Sequence, residues 1–205
     1  MKNYLYPAAC LLSGLVLINS CSTSSISKSE RETAYVNSKE TASSTCFVKM
    51  NDGTIKTYST LKLITGTFIN PYLLADGNVK IKAGQIVSYQ NANHFAVSQK
   101  TFCCGRMSHV ATETLPGFAV RTVKGKLNVY CKKYYTGQSV VDEYFLQAGN
   151  DGLIKPYSPE LMNQLVKDNP EAYQFFNNKK FKGRTPAKLQ ATALLYNGDQ
   201  SITKN

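Results

Sequence analysis

Phe118-Ala119-Val120-Arg121-Thr122-Val123, Lys124-Gly125, and then Lys126-Leu127-Asn128-Val129-Tyr130-Cys131-Lys132-Lys133 is the stretch whose reading decides the fold. Two runs rich in β-branched and aromatic residues flank a short Lys-Gly connection, which reads as a hairpin. Side chains on a strand alternate, so Leu127, Val129 and Cys131 share one face while Lys126, Asn128, Tyr130 and Lys132 take the other. A chain that opens its central part this way is building an antiparallel sheet.

The same pattern recurs on both sides. Cys46-Phe47-Val48-Lys49-Met50 and Thr54-Ile55-Lys56-Thr57-Tyr58 flank Asn51-Asp52-Gly53, where Asp-Gly supplies a positive φ at little cost. Thr60 to Thr65 alternates as a strand, and Asn70-Pro71 is expected to break it. Tyr72-Leu73-Leu74 runs through Ala75-Asp76-Gly77-Asn78 into Val79-Lys80-Ile81-Lys82 as a second hairpin, and Ile86 to Tyr89 is followed by Phe95-Ala96-Val97. Downstream, Tyr144 to Ala148 and Leu153-Ile154-Lys155 enclose the turn Gly149-Asn150-Asp151-Gly152. Short strands with frequent turns predict a mainly antiparallel β roll or open barrel.

The end of the chain changes period. Ser158 can cap a helix with Pro159 at its first position, and Leu161, Leu165 and Val166 return at helical spacing. Asp168-Asn169-Pro170 ends that helix and starts another, carrying Ala172, Tyr173 and Phe176 to about Asn178. A third runs from Thr185-Pro186 to Asn197-Gly198 with Leu189, Ala193 and Tyr196 on one side. The fold class expected is therefore α+β, with two or three C-terminal helices completing the core of the sheet.

The beginning of the chain speaks of location. Lys2 precedes an apolar run from Tyr4 to Ile18, which Ile18-Asn19-Ser20-Cys21 closes. The run is shorter than the roughly 20 residues that a membrane-crossing helix needs, so a cleaved export signal is the better reading. The segment resembles a bacterial lipoprotein signal ending in a lipobox, with Asn19 a departure from the usual small or apolar residue. That resemblance implies cleavage after residue 20 and lipidation of Cys21, with palmitate-type acyl chains anchoring the protein in the cell envelope, at the outer membrane. Residues 21–45 are rich in Ser, Thr and charge and have little to bury, so they read as a flexible tether. Residues 46–205 have the size of one globular domain.

Cys46, Cys103, Cys104 and Cys131 remain once Cys10 leaves with the signal and Cys21 is lipidated. In an oxidising compartment these four are candidates for structural disulfides, with three complete pairings open. A zinc site from Cys103, Cys104, His109 and Cys131 is disfavoured because adjacent cysteines point apart and no Cys-x-x-Cys knuckle occurs. A thiol nucleophile would need a histidine partner, and the chain has only His94 and His109. Asp142 and Glu143 are strand neighbours whose side chains diverge, and Asp52, Asp76 and Asp151 are accounted for by turns. Phosphate loops, dinucleotide fingerprints and serine-hydrolase elbows are missing from the sequence. No catalytic residue, metal or cofactor is expected.

Charge is the remaining clue. The formal net charge is +11, and Lys179, Lys180, Lys182, Arg184 and Lys188 cluster around Phe181 as a candidate anion-binding group. An exported protein meets little nucleic acid, so anionic glycan, lipid head groups or an acidic envelope protein are the partners this basicity implies. Tyr130, Tyr134 and Tyr135 offer a candidate aromatic platform. The run Tyr72 to Gly77, continued by Lys80 to Gln90, resembles a pattern in β-rich bacterial lipoproteins and secreted proteins. That likeness implies the same sheet with a helical tail and brings no activity or site residues. The function expected is that of a membrane-anchored envelope lipoprotein with a non-catalytic binding or structural role. The alternatives are a cysteine-dependent envelope enzyme using Cys103 or Cys104, or an accessory subunit of an envelope assembly binding anionic glycan or lipid.

Overall fold

The computed structural model describes residues 45–66, 68–102, 113–180, 183 and 185–198. The signal, the lipidation site Cys21 and the tether lie outside the described residues, as do Cys103, Cys104, His109, Lys182 and Arg184.

Among the described residues there are eleven strands and three helices: β1 (Cys46–Met50), β2 (Ile55–Tyr58), β3 (Leu61–Gly66), β4 (Ile69–Ala75), β5 (Val79–Lys82), β6 (Ile86–Gln90), β7 (Phe95–Ser98), β8 (Phe118–Val123), β9 (Leu127–Tyr135), β10 (Val140–Ala148), β11 (Lys155–Pro156), α1 (Pro159–Val166), α2 (Pro170–Asn177) and α3 (Thr185–Tyr196). Eight strands make one antiparallel sheet in the order β11-β10-β9-β8-β7-β6-β1-β2, and β3-β4-β5 make a second. The fold is thus α+β, and the large sheet stays open because β2 and β11 end it on opposite sides.

Registry explains how one sheet serves two cores. Val48, Tyr89, Ala96, Val120, Cys131 and Tyr144 lie opposite one another in a single row across β1, β6, β7, β8, β9 and β10. At the β1 end of this face, Cys46, Val48, Tyr89, Ala96 and Phe118 pack with Leu61, Leu73, Ala75 and Ile81 of the small sheet. At the other end, Leu127, Val129 and Leu146 pack with Met162, Val166, Ala172, Phe176, Leu189 and Ala193 of the helices. Cys131 sits in the row between the two.

The second face of β9 is also buried, so its polar residues needed partners rather than water. Tyr130, Phe145, Val97, Ala119 and Ile154 form a third apolar cluster there, joined by Phe102. The Tyr130 hydroxyl donates to Gln147 Oε1 at 2.6 Å, and Gln147 Nε2 donates to the carbonyls of Asn150 and Gly152 at 3.0 and 2.8 Å. Asn128 Nδ2 donates to the Gly149 carbonyl at 2.7 Å. These side chains thereby hold the β10–β11 turn in place. Tyr130 is buried, which removes it from any exposed platform with Tyr134 and Tyr135.

Asn70-Pro71 does not interrupt the sheet. β4 runs through both residues, and its register against β3 shifts between Ile64 and Gly66. Pairing of β4 with β5 stops at Tyr72–Lys82, so Pro71 costs no ladder bond on that side. A hairpin that the turn residues did not announce joins β9 to β10, where Thr136 N–H donates to the Ser139 carbonyl at 3.0 Å.

The helices begin where their caps predict. Ser158 Oγ accepts from Leu161 N–H at 3.1 Å, and Asn169 Oδ1 accepts from Ala172 N–H at 3.0 Å, each followed by proline at the first helical position. At the far end of α3, Asn197 Oδ1 accepts from Leu127 N–H at 2.8 Å while its Nδ2 donates to the Leu127 carbonyl at 3.0 Å. That side chain fastens the last helix to the β8–β9 hairpin. No helix among the described residues is long and apolar enough to cross a membrane.

Candidate functional site

The seam between the two cores gathers several titratable side chains. Cys131, Lys133 and Tyr135 alternate on the core-facing side of β9, and Tyr144 and Asp142 stand opposite Cys131 and Lys133 on β10. Tyr144 Oη donates to Asp142 Oδ2 at 3.3 Å, and Lys133 Nζ pairs with Glu113 Oε1 at 3.0 Å. On the adjoining side, Tyr89 Oη and His94 Nε2 share a hydrogen bond of 3.1 Å. Asp142 and Glu143 diverge as strand neighbours must, since Glu143 reaches the opposite face and binds Lys132 Nζ at 3.2 Å.

Burial governs the protonation of this seam. It pushes the Cys131 thiol up to about 12, reinforced by the Asp142 carboxylate and opposed by the Tyr144 hydrogen bond and Lys133. Burial likewise raises Tyr89 and Tyr144 above the usual phenol range. It lowers His94 below the ordinary imidazole value, against a smaller upward pull from Glu113. A thiol held neutral and an imidazole held neutral are both charge-free at pH 7. Cys131 therefore lacks the thiolate that nucleophilic chemistry requires.

Cys46 and Cys131 are buried free thiols. Four strand spacings, of about 4.8 Å each, separate β1 from β9 in the sheet. A direct Cys46–Cys131 bridge would need Cα atoms within about 7 Å, so the sheet excludes that pairing. The pairings that use Cys103 and Cys104 fall outside the described residues.

Of the basic cluster, Lys179 and Lys180 are exposed beyond α2, and Lys188 projects from α3 towards them. Lys188 Nζ donates to the Asn178 carbonyl at 3.0 Å and lies 5.6 Å from the centre of the Phe176 ring. Lys188 is thus partly spent on joining α3 to the end of α2. Two open depressions flank the helices. One, of about 420 Å³, is lined by Asp142, Glu143, Tyr144, Pro156, Tyr157, Thr185 and Pro186. The other, of about 250 Å³, lies among Lys126, Leu127, Leu165, Asp168 and Tyr196. The larger one is lined by two acidic residues and two tyrosines, which suit a donor-bearing ligand rather than an anion.

Comparison with known proteins gives no match. No family model fits the chain, and no curated protein or solved structure is similar to it.

Sequence reasoning missed the seam for a definable reason. Glu113, Lys133 and Asp142 carry no motif; the β9–β10 register sets Asp142 opposite Lys133, and Glu113, which precedes β8, meets Lys133 only in the folded domain. His94 is legible as a strand-end histidine, but its bond to Tyr89 depends on the β6–β7 turn.

Proposed function

We propose that this chain is a bacterial cell-envelope lipoprotein, held to the membrane through acylated Cys21 and acting by non-catalytic binding or as a structural component. The observation that carries the reading is Lys2, the apolar run Tyr4 to Ile18, and Ser20-Cys21 directly after it. The likeness to β-rich bacterial lipoproteins belongs to the same proposal, as does placement at the outer membrane. Cys131 is a buried, neutral thiol unsuited to nucleophilic chemistry, while Cys103 and Cys104, on which the cysteine-enzyme alternative rests, lie outside the described residues. The basic balance of the chain favours anionic lipid, glycan or protein as the partner.

The test is the intact mass of membrane-extracted protein, with and without reduction before thiol alkylation. A mature chain beginning at acylated Cys21 is expected. An unlipidated chain retaining residues 1–20 would overturn the anchor.

A further inference from the structure

The small sheet shows two unlike faces. Leu61, Leu73, Ala75 and Ile81 point into the first core and are buried. Alternation then turns Lys62, Ile64, Tyr72, Leu74, Lys80 and Lys82 outwards. The register sets them in two rows, Lys62–Leu74–Lys80 and Ile64–Tyr72–Lys82, and Lys80 Nζ lies 4.1 Å from the centre of the Tyr72 ring. All three lysines are exposed, and β3, β4 and β5 contain no acidic residue.

At one end of this sheet the β3–β4 turn carries Phe68, which is 99% exposed, and β4 begins with Ile69, which is 49% exposed. Ile69 pairs with Gly66 three residues beyond the Ile64–Tyr72 row, roughly 10 Å at strand rise, and Phe68 lies in the turn past it. Asp76, the only acid between Asp52 and Glu113 in the chain, lies at the opposite end of β4. Its carboxylate accepts from Thr60 N–H at 2.8 Å. The element therefore has an apolar tip, cationic flanks and a carboxylate kept far from the tip.

We infer that this sheet docks the domain onto an anionic phospholipid bilayer, with Phe68 and Ile69 entering the interface and Lys62, Lys80 and Lys82 meeting lipid phosphates. An aromatic ring beside an aliphatic side chain gains from the boundary between head groups and acyl chains. Lys82 stands roughly 10 Å and Lys62 and Lys80 roughly 17 Å behind Ile69 along the strands, so with the outer face of the sheet inclined onto the bilayer their long stems carry the ammonium groups to the phosphates. Two tip side chains are far smaller than the roughly 800 Å² per partner that a stable protein interface buries. A bilayer needs no matching pocket. The lysines on β5 also oppose strand pairing with another protein at that sheet edge.

The inference deepens the proposed envelope role, since lipidation of Cys21 would hold the domain beside its membrane. Residues 22–45 span up to about 80 Å when extended, enough to let the tip reach the surface. The chain contains no tryptophan, so Phe68→Trp in the full chain places a sole indole at the exposed tip. The variant is mixed with vesicles of phosphatidylcholine and phosphatidylglycerol, or of phosphatidylcholine alone, and association is read by flotation. A blue shift and quenching by brominated acyl chains are expected on the anionic vesicles. Adding Lys62→Glu, Lys80→Glu and Lys82→Glu should weaken this signal about tenfold or more while circular dichroism shows the sheet intact. Unshifted, unquenched emission overturns the inference, even where the chain floats with the vesicles. Equal quenching on neutral vesicles overturns the anionic assignment. Because flotation without quenching indicates an anchor elsewhere, and the intact mass reports Cys21 directly, failure of the tip and failure of the lipoprotein reading remain distinct.

Discussion

The hydroxyl of Tyr89, buried in the first core, lies 3.1 Å from Nε2 of His94 at the β6–β7 turn. Burial depresses the imidazole pKa in the folded protein, whereas the unfolded chain restores the ordinary value near 6.5. Below that value the unfolded state binds a proton that the folded state refuses, so stability falls as pH drops. The melting temperature should therefore decline between about pH 7 and pH 5, ahead of general carboxylate protonation. His94→Gln should flatten that part of the profile. An unchanged slope in the variant would show that His94 is not responsible.

Lys132 and Glu143 are directly opposite on β9 and β10, with Nζ and Oε2 3.2 Å apart, and Lys132 is almost wholly buried. Glu143→Ala removes a charge partner from a cation that has left water. Because Glu143 is partly exposed, water offsets some of the loss, and a destabilisation of about 1–3 kcal/mol is expected. Chemical denaturation of the variant measures it. Glu143→Asp should recover less than the full loss, since the shorter side chain cannot keep the same approach.

The thiol of Cys131 faces Tyr144 in the seam and is pushed up to about 12. At pH 8 it should resist alkylation in the native protein and react promptly once denaturant is added. Mass spectrometry of the peptide containing Cys131, before and after unfolding, reads this directly. Rapid native labelling would mean that the seam opens readily.

Asn197 binds the β8–β9 hairpin at both the N–H and carbonyl of Leu127, and Gly125 lies against its amide. A methyl group at Gly125 would collide with that amide, so Gly125→Ala must displace it. Asn197→Ala should cost about 1–2 kcal/mol by freeing the end of α3 from the hairpin. The double variant should cost less than the two single losses combined, because both break the same fastening. Additive losses would separate the two residues.

The strands and helices were legible wherever local chemistry acts within a few residues. Asp52-Gly53, Asp76-Gly77, Ser158-Pro159 and Asn169-Pro170 each state a turn or cap, and each is found where the sequence puts it. Pro71 misled because proline breaks a strand only where its missing N–H would have had a partner. Lys132 and Asn128 stand on the face opposite Leu127, Val129 and Cys131 and both are nevertheless buried, because what covers a face of the sheet is not written in the strand itself.

By itself the sequence determined the α+β class, the hairpins at Asp52-Gly53, Asp76-Gly77, Lys124-Gly125 and Gly149-Asn150-Asp151-Gly152, the helix starts and the strongly basic balance. These follow from turn conformations, alternation and net charge, which are properties of short stretches or of the whole composition. Only the tertiary structure decided that one row of side chains serves two cores, that Cys46 and Cys131 lie too far apart to bond, and that Glu113, Lys133, Asp142 and Tyr144 share a seam. It alone set Phe68 at an exposed tip with lysines on a single outer face. Register and strand order place distant residues side by side, and neither is encoded in any one segment of the chain.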